Sequence, residues 1–264
     1  MSPAKVLTTV SLVCLFVLSE GAKTRPKKVY GRPEYFPVCF RNDPELNKCL
    51  INASEQVRPY LAKGVPELRL PSFEPFTIPQ IELAQGTRAL NFRALLSNVV
   101  AHGLTKYKFH RFDFDVPNYE FFCEAKIPGV SLEGDYSLTG RILIAPIEGK
   151  GKFTAHIDSC DVYVYQKYKE AILGDNKVHL MPTITNSSIR VQKPSIKLDG
   201  LFNGNAELNA ATNKAINDNV DELFAELKPV VEQTLSQILE DLLFKSIIQN
   251  IPFADLYPVN PRFS

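Results

Sequence analysis

The sequence predicts an α+β fold, a long C-terminal helix wrapped by a strongly curved antiparallel β-sheet. Two patterns carry that expectation. From about 81 to 201, apolar and polar residues alternate with the period of two that marks strands. The alternating runs reach ten residues or more, against an ordinary mode of about 5–6. Across 208–250 the period changes, and Ile216, Val220, Leu223, Leu227, Val231, Leu235, Ile238 and Leu242 step by threes and fours. Unbroken, a helix over that stretch at ~1.5 Å per residue would reach about 63 Å. A stripe of that length needs an apolar partner of similar length, and a bent sheet supplies one.

The elements follow in order. Lys5 precedes an apolar run from Val6 to Leu18, and Ser19, Gly21 and Ala22 are small residues at a cleavage position. This is the order of a secretory signal over residues 1–22, too short for the ~20 residues of a spanning helix. Residues 23–35 form a basic arm, and 23–32 hold five basic residues and no acid. The remainder, 36–264, is expected to be a single domain. Residues 43–62 read as a helix through Leu46, Leu50, Val57 and Leu61, disturbed by Pro59 and closed by a left-handed Gly64. Pro66, Pro71, Pro75 and Pro79 then exclude both a helix and a central strand, which leaves an extended edge segment.

Strands are predicted at 112–116, 119–127, 132–144, 151–165 and 189–201. Tyr119, Phe121, Cys123, Ala125 and Ile127 share one face of the second, and Leu132, Tyr136, Leu138, Ile142 and Ile144 one face of the third. Gly134 and Gly140 lie among the latter, where a glycine lets a strand bend or admits a close neighbour. In 151–165 the apolar parity passes from Phe153, Ala155 and Ile157 to Cys160, Val162 and Val164. A bulge near Asp158 or Ser159 accounts for that slip. Pro229 should kink the C-terminal helix.

Composition narrows the function. Lys plus Arg is 30 against 29 Asp plus Glu, without the basic surplus a nucleic-acid binder needs. Setting aside Lys5, Glu20 and residues 23–32 leaves 24 basic against 28 acidic residues. No later apolar run is long enough for stable membrane insertion. Cys14 departs with the signal, leaving Cys39, Cys49, Cys123 and Cys160 in an oxidising compartment. Cys39 and Cys49 flank a short segment and are the favoured bridge. Cys123 and Cys160 admit two readings. If 119–127, 132–144 and 151–165 form a simple meander, these cysteines lie two strands apart, about 9–10 Å, beyond the ~7 Å a disulfide spans. A second bridge and a pair of buried thiols both stay open. Asn52 and Asn186 head glycosylation tripeptides, Asn52-Ala53-Ser54 and Asn186-Ser187-Ser188.

The polar residues show no catalytic spacing. Gly129-Val130-Ser131-Leu132-Glu133-Gly134 lacks the spacing of a nucleophile elbow, and Ser131 is expected at a hairpin. His102, His110, His156 and His179 have no i,i+4 histidine partner and no HExxH helix. His110, Asp113 and Asp115 could be drawn as a metal site, but the two aspartates alternate with Phe112 and Phe114, as a solvent face does. No phosphate loop is present. The sequence is read as non-enzymatic, without metal or cofactor, and as a monomer.

What remains is apolar surface. On the sheet it comprises Phe92, Leu96, Phe112, Phe114, Tyr119, Phe121, Tyr136, Leu138, Ile142, Phe153 and Ile157. On the helix it comprises Val220, Leu223, Phe224, Leu227, Val231 and Leu235. Together these are expected to line an elongated apolar cavity, with hydroxyls of Tyr119, Tyr136 or Tyr163 orienting a polar end group. Two other readings compete: a filled-core extracellular interaction protein, and a lipid-surface binder acting through the basic arm.

The strings FPVCFRNDPELNKCL, YLAKGVPELRLPSFEPFTI, LEGDYSLTGRILIAPIEGKGKF, ELNAATNKAINDN and LFKSIIQNIPFADLYP resemble the insect takeout and haemolymph juvenile hormone-binding family over about 36–258. The resemblance implies a tubular lipid-binding fold of super-roll type. It also implies a tunnel for a juvenile hormone, another terpenoid or a fatty acid-like ligand, and secretion into haemolymph or a similar fluid. The Cys39–Cys49 pair matches the family's N-terminal disulfide.

Overall fold

The computed structural model describes residues 31–86, 90–142 and 145–263. The predicted signal and most of the arm lie outside these residues. The chain enters through helix α1 (Leu46–Lys63), where the Asp43 carboxylate accepts from Glu45 N–H one turn ahead. Gly64 ends it with a positive φ of 88°. The Cys39–Cys49 disulfide, with a Cα separation of 5.7 Å, ties the entry segment to α1. The proline-punctuated stretch makes a short turn at Pro66–Leu68 and then strand β1 (Phe76–Gly86), which is an edge strand as its prolines require.

Strands β2 (Leu90–His102), β3 (Lys108–Asp115), β4 (Glu120–Ile142), β5 (Ala145–Ile172) and β6 (Val178–Leu198) complete one antiparallel sheet. Its order is β1-β2-β4-β5-β6, with β3 also on β4. The predicted strands 119–127 and 132–144 are one strand, β4. Ser131 accordingly lies within a strand and not at a hairpin. One flank of β4 pairs with β2 along 131–142 and with β3 along 120–126. Gly134 meets its expected close neighbours: a Cβ there would lie 2.9 Å from both the Phe153 ring and the Ser97 carbonyl. That carbonyl adjoins a bulge in β2, between Ser97 and Val100.

The parity slip near Asp158 is present and is wider than one strand, but the bulge expected at Asp158 or Ser159 is not there. Pairing skips Gly129 opposite Asp158 and Asp158 opposite Lys193, with no change of register on either side. Gly129 (φ 64°) and Lys193 (φ 47°) both adopt left-handed backbone. The buried face therefore changes parity in β4, β5 and β6 at one common rung. On one side of this crease Tyr136, Leu138 and Phe153 are buried; on the other Cys123, Ala125, Cys160 and Val164 are.

The expectation of a strongly curved sheet wrapped around a single helix is corrected. Among the described residues the sheet is open, its edges β1 and β6 are not paired with each other, and no tube of super-roll type is closed. Nor is the C-terminal stripe one rod. It divides into α2 (Ala206–Asp218), α3 (Val220–Leu239), a π-helical stretch Glu240–Ile248 and α4 (Phe253–Leu256). The break falls at Asn219, whereas α3 runs through Pro229.

The physical reason lies at the β6 edge, whose outward backbone groups are met by helix side chains instead of another strand. Ile196 N–H donates to Asn217 Oδ1 (3.0 Å), and Asn217 Nδ2 donates to Ile196 O (2.6 Å). Asn213 makes the same pair with Leu198, at 2.8 Å each way. Leu201 N–H donates to Asn209 Oδ1 at 3.0 Å. Farther along, Ser187 N–H donates to Ser236 Oγ (2.9 Å), and Ser188 O–H and Ile189 N–H donate to Glu232 Oε1 (2.7 and 2.9 Å). An edge whose groups are paired this way has no need to close on another strand.

Candidate functional site

The crease separates two packed apolar clusters. The first gathers Ala94, Tyr136, Leu138, Phe153, Leu198, Ile216 and Leu223, with Phe92, Leu96 and Leu227 half-buried against them. The second gathers Cys39, Leu46, Leu50, Phe114, Tyr168, Leu180, Phe244 and Phe253, with Phe112, Tyr119 and Phe121 against them. The predicted lining residues thus fall at two separate places. Ile157, Val220, Phe224, Val231 and Leu235 are half-buried and belong to neither. The side chain of Ile142 lies outside the described residues.

Between the clusters, α3 runs from Leu227 to Leu239, about 18 Å at ~1.5 Å per residue. In that interval Val231 and Leu235 are half-buried, as are Ile157, Val162 and Val191, which occupy inward positions on β5 and β6. The packed ends and the looser apolar middle together form the candidate site. Residues outside the predicted set contribute to the ends: Ile78, Ile81 and Leu83 of β1, Leu201, and Phe253 of α4. Ile81 and Leu83 alternate in the sequence, whereas Ile78, three residues before Ile81 and next to Pro79, breaks the pattern. A third cluster of Phe36, Val65, Leu68, Leu70 and Ile251 packs the N-terminal segment on the chain's end.

Polar groups around the interior are engaged. Tyr136 O–H donates to Asp199 O at 2.9 Å, and Tyr119 O–H donates to Glu170. Tyr163 occupies the opposite face of β5 from Val162 and Val164 and does not point into the apolar middle. Fully buried Gln166 accepts from Tyr168 O–H and donates to Thr185 Oγ1 at 3.3 Å. Burial pushes the Tyr257 phenol up to about 12 and Tyr168 well above its ordinary value.

Cys123 and Cys160 are buried free thiols. They sit on adjacent strands, not two strands apart as a meander would place them. Cys123 pairs with Val164 and Cys160 with Ile127, so they are offset by four residues, about 13 Å along the strand. A disulfide cannot cross that distance. Burial pushes the two thiols up to about 12 and about 11, so both stay protonated.

Asp113 is occupied by structural partners, the Arg111 guanidinium and Asn47 Nδ2 (3.0 Å). Among the described residues no cluster of three His, Cys, Asp or Glu has the arrangement of a metal site. A cavity of about 490 Å³ opens on the solvent side of the sheet, over the rung His102–Ser131–His156–Ser195, and Glu133 and Lys197 also line it. Leu132, Ala155 and Ile196 also line it, so its walls mix apolar with polar groups. Among the described residues no helix is long and apolar enough to cross a membrane. Asn52 in α1 and Asn186 in β6 are both exposed.

Comparison with known proteins places this geometry among relatives. The sequence model described as haemolymph juvenile hormone binding protein (JHBP) matches residues 11–258. A Drosophila melanogaster protein described as circadian clock-controlled protein daywake is 20% identical over 259 residues, covering 95% of this chain and 98% of that one. Its Drosophila yakuba counterpart is 21% identical over the same coverage. The crystal structure of Epiphyas postvittana Takeout 1 superposes with a TM-score of 0.71 at 20% identity, covering 84% of this chain and 99% of that one.

Proposed function

The chain belongs to the haemolymph juvenile hormone binding protein family, and from that premise we propose that it is a secreted, non-catalytic carrier of a small hydrophobic ligand. The ligand is a juvenile hormone, another terpenoid or a fatty acid-like molecule. It is held within a single domain, residues 36–264, after loss of the signal 1–22, and the chain acts as a monomer. One observation supports the placement of the ligand: the half-buried apolar middle between the two packed clusters, with Val231 and Leu235 on one side and Ile157 on the other. Burial of ligand surface at ~25 cal/mol per Å² supplies the affinity. The packed clusters close the ends, and the engaged hydroxyls of Tyr119 and Tyr136 leave shape and apolarity to select the ligand.

Lipids extracted from the native secreted protein and identified by mass spectrometry test this reading, together with displacement of a fluorescent fatty probe by a panel of juvenile hormones, terpenoids and fatty acids. Leu235→Trp, which fills the middle, should weaken probe binding at least tenfold with the fold retained. An empty extract together with no displacement by any of the panel would falsify the carrier reading. Deleting residues 23–32 should leave binding unchanged, which separates the interior site from a surface acting through the basic arm.

A further inference from the structure

We infer that Asn186 bears an N-linked glycan whose first sugars pack against an aromatic strip on the solvent side of the sheet, centred on Tyr165. The inference rests on the secreted reading above, because the modification is made in the secretory pathway. Asn186 is exposed on β6 and heads the acceptor tripeptide Asn186-Ser187-Ser188. Its cross-strand partner is Tyr165, and the partner of Tyr165 on the far side is Phe122, so the three share one rung. Tyr163 and the exposed Ile184 flank them on the same face. The Arg111 guanidinium lies 4.5 Å from the centre of the Phe122 ring. Directly opposed side chains have Cβ atoms about 4.5–5.5 Å apart, so the sugar attached at Asn186 begins within contact distance of the Tyr165 ring. An aromatic face buries the apolar face of a pyranose and leaves the sugar hydroxyls in water. On its own helix Asn52 has no aromatic neighbour three or four residues away. Its neighbours on α1, three and four residues away, are Lys48, Cys49, Glu55 and Gln56.

The structure also orders the event in time. In the folded chain Ser188 O–H donates to Glu232 Oε1 at 2.7 Å, across 44 residues of sequence. The hydroxyl of the acceptor tripeptide is thereby held, so transfer takes place before α3 docks on β6. The donor is an oligosaccharide on a lipid diphosphate. The Asn186 side-chain nitrogen attacks the anomeric carbon, a C–N bond forms and the C–O bond to the diphosphate breaks. The lipid diphosphate leaves with the bonding pair, and the amide nitrogen loses one proton.

The full chain, secreted from eukaryotic cells that attach N-glycans, provides the test. Glycopeptide mass spectrometry should find Asn186 occupied, and Asn186→Gln should remove that mass. Enzymatic removal of the glycan should lower Tm by about 2–4 °C in the wild type. The shift should persist in Tyr165→Phe and vanish in Tyr165→Thr. Ring-labelled wild-type protein gives an independent reading, since NMR contacts between sugar and tyrosine ring protons are expected. Their absence, or an equal shift in Tyr165→Thr, overturns the packing. Secretion with Asn186 bare overturns this inference alone, whereas retention in the cell with residues 1–22 attached overturns the secreted reading as well.

Discussion

The side-chain amide of Asn217 grips the backbone of Ile196 at both its N–H and its carbonyl, as a neighbouring strand would. Four residues earlier Asn213 does the same for Leu198. The two periodicities match: four helical residues advance ~6 Å, and two strand residues ~6.6 Å. Asparagines spaced by four on a helix can therefore serve alternate residues of an edge strand. Removing one leaves two backbone groups of β6 without that partner. Asn213→Ala and Asn217→Ala should each cost about 1–3 kcal/mol in urea unfolding. Both variants should aggregate faster than the wild type, because the bare edge can accept another chain. A midpoint unchanged in both would show that water serves the edge as well as asparagine does.

Glu232 gives the β6 contact a pH dependence. Burial raises its carboxyl pKa, but the Ser188 hydroxyl, the Ile189 N–H and the Lys228 ammonium outweigh that and hold it below its ordinary 4.5. A depressed carboxylate stabilises the fold above the unfolded value, and that contribution is lost as pH falls through the folded one. Glu232→Gln should lower Tm by about 2–4 °C at pH 7. The gap from wild type should narrow as pH drops below about 4.5. A gap constant from pH 7 to pH 3 would mean that the contact does not depend on charge.

Thiol chemistry should separate the four cysteines of the body into two classes. In the native protein Cys123 and Cys160 should resist a thiol reagent at pH 8, since both are buried and protonated. Alkylation after unfolding without reductant should add two labels, and reduction should release two more from Cys39 and Cys49. Native labelling at the rate of a free thiol would contradict this burial.

The helical stripe should be costly to interrupt at its packed end. Leu223 is 5% exposed within the first cluster, and Leu223→Ala should cost about 2–5 kcal/mol. Leu227→Asp places a carboxylate against the same cluster and should cost several kcal/mol. Thermal melting reads both, and an unchanged Tm in either would remove that residue from the core.

Much of this architecture was legible before the structure. Periodicity located α1, the sheet and the C-terminal helices, and it marked the slip at Asp158. The fusion of 119–127 and 132–144 was hidden, because Pro128 and Gly129 look like a turn and here sit within a strand at the crease. The break at Asn219 was hidden too, since the apolar stripe continues across it from Ile216 to Val220 and Leu223. Curvature was overestimated, because length and glycines indicate bending but not what becomes of the edges. Asn209, Asn213 and Asn217 held that answer at visible spacing. Polar residues leave no mark on apolar periodicity, and the role of these three lies in their backbone partners.

The crease also sets a rule for how this sequence can change. Because Gly129, Asp158 and Lys193 occupy one rung, the inward-facing parity of three strands is set jointly there. Deleting a single residue at that rung in one strand inverts its remainder alone. Loss of Gly129 from β4 would turn Ser131, Glu133 and Asp135 toward the apolar interior and Leu132, Tyr136 and Leu138 toward water. Insertions and deletions are therefore to be sought in the connections between strands, and the long strands should keep fixed lengths on either side of the rung even where most of their residues are replaced.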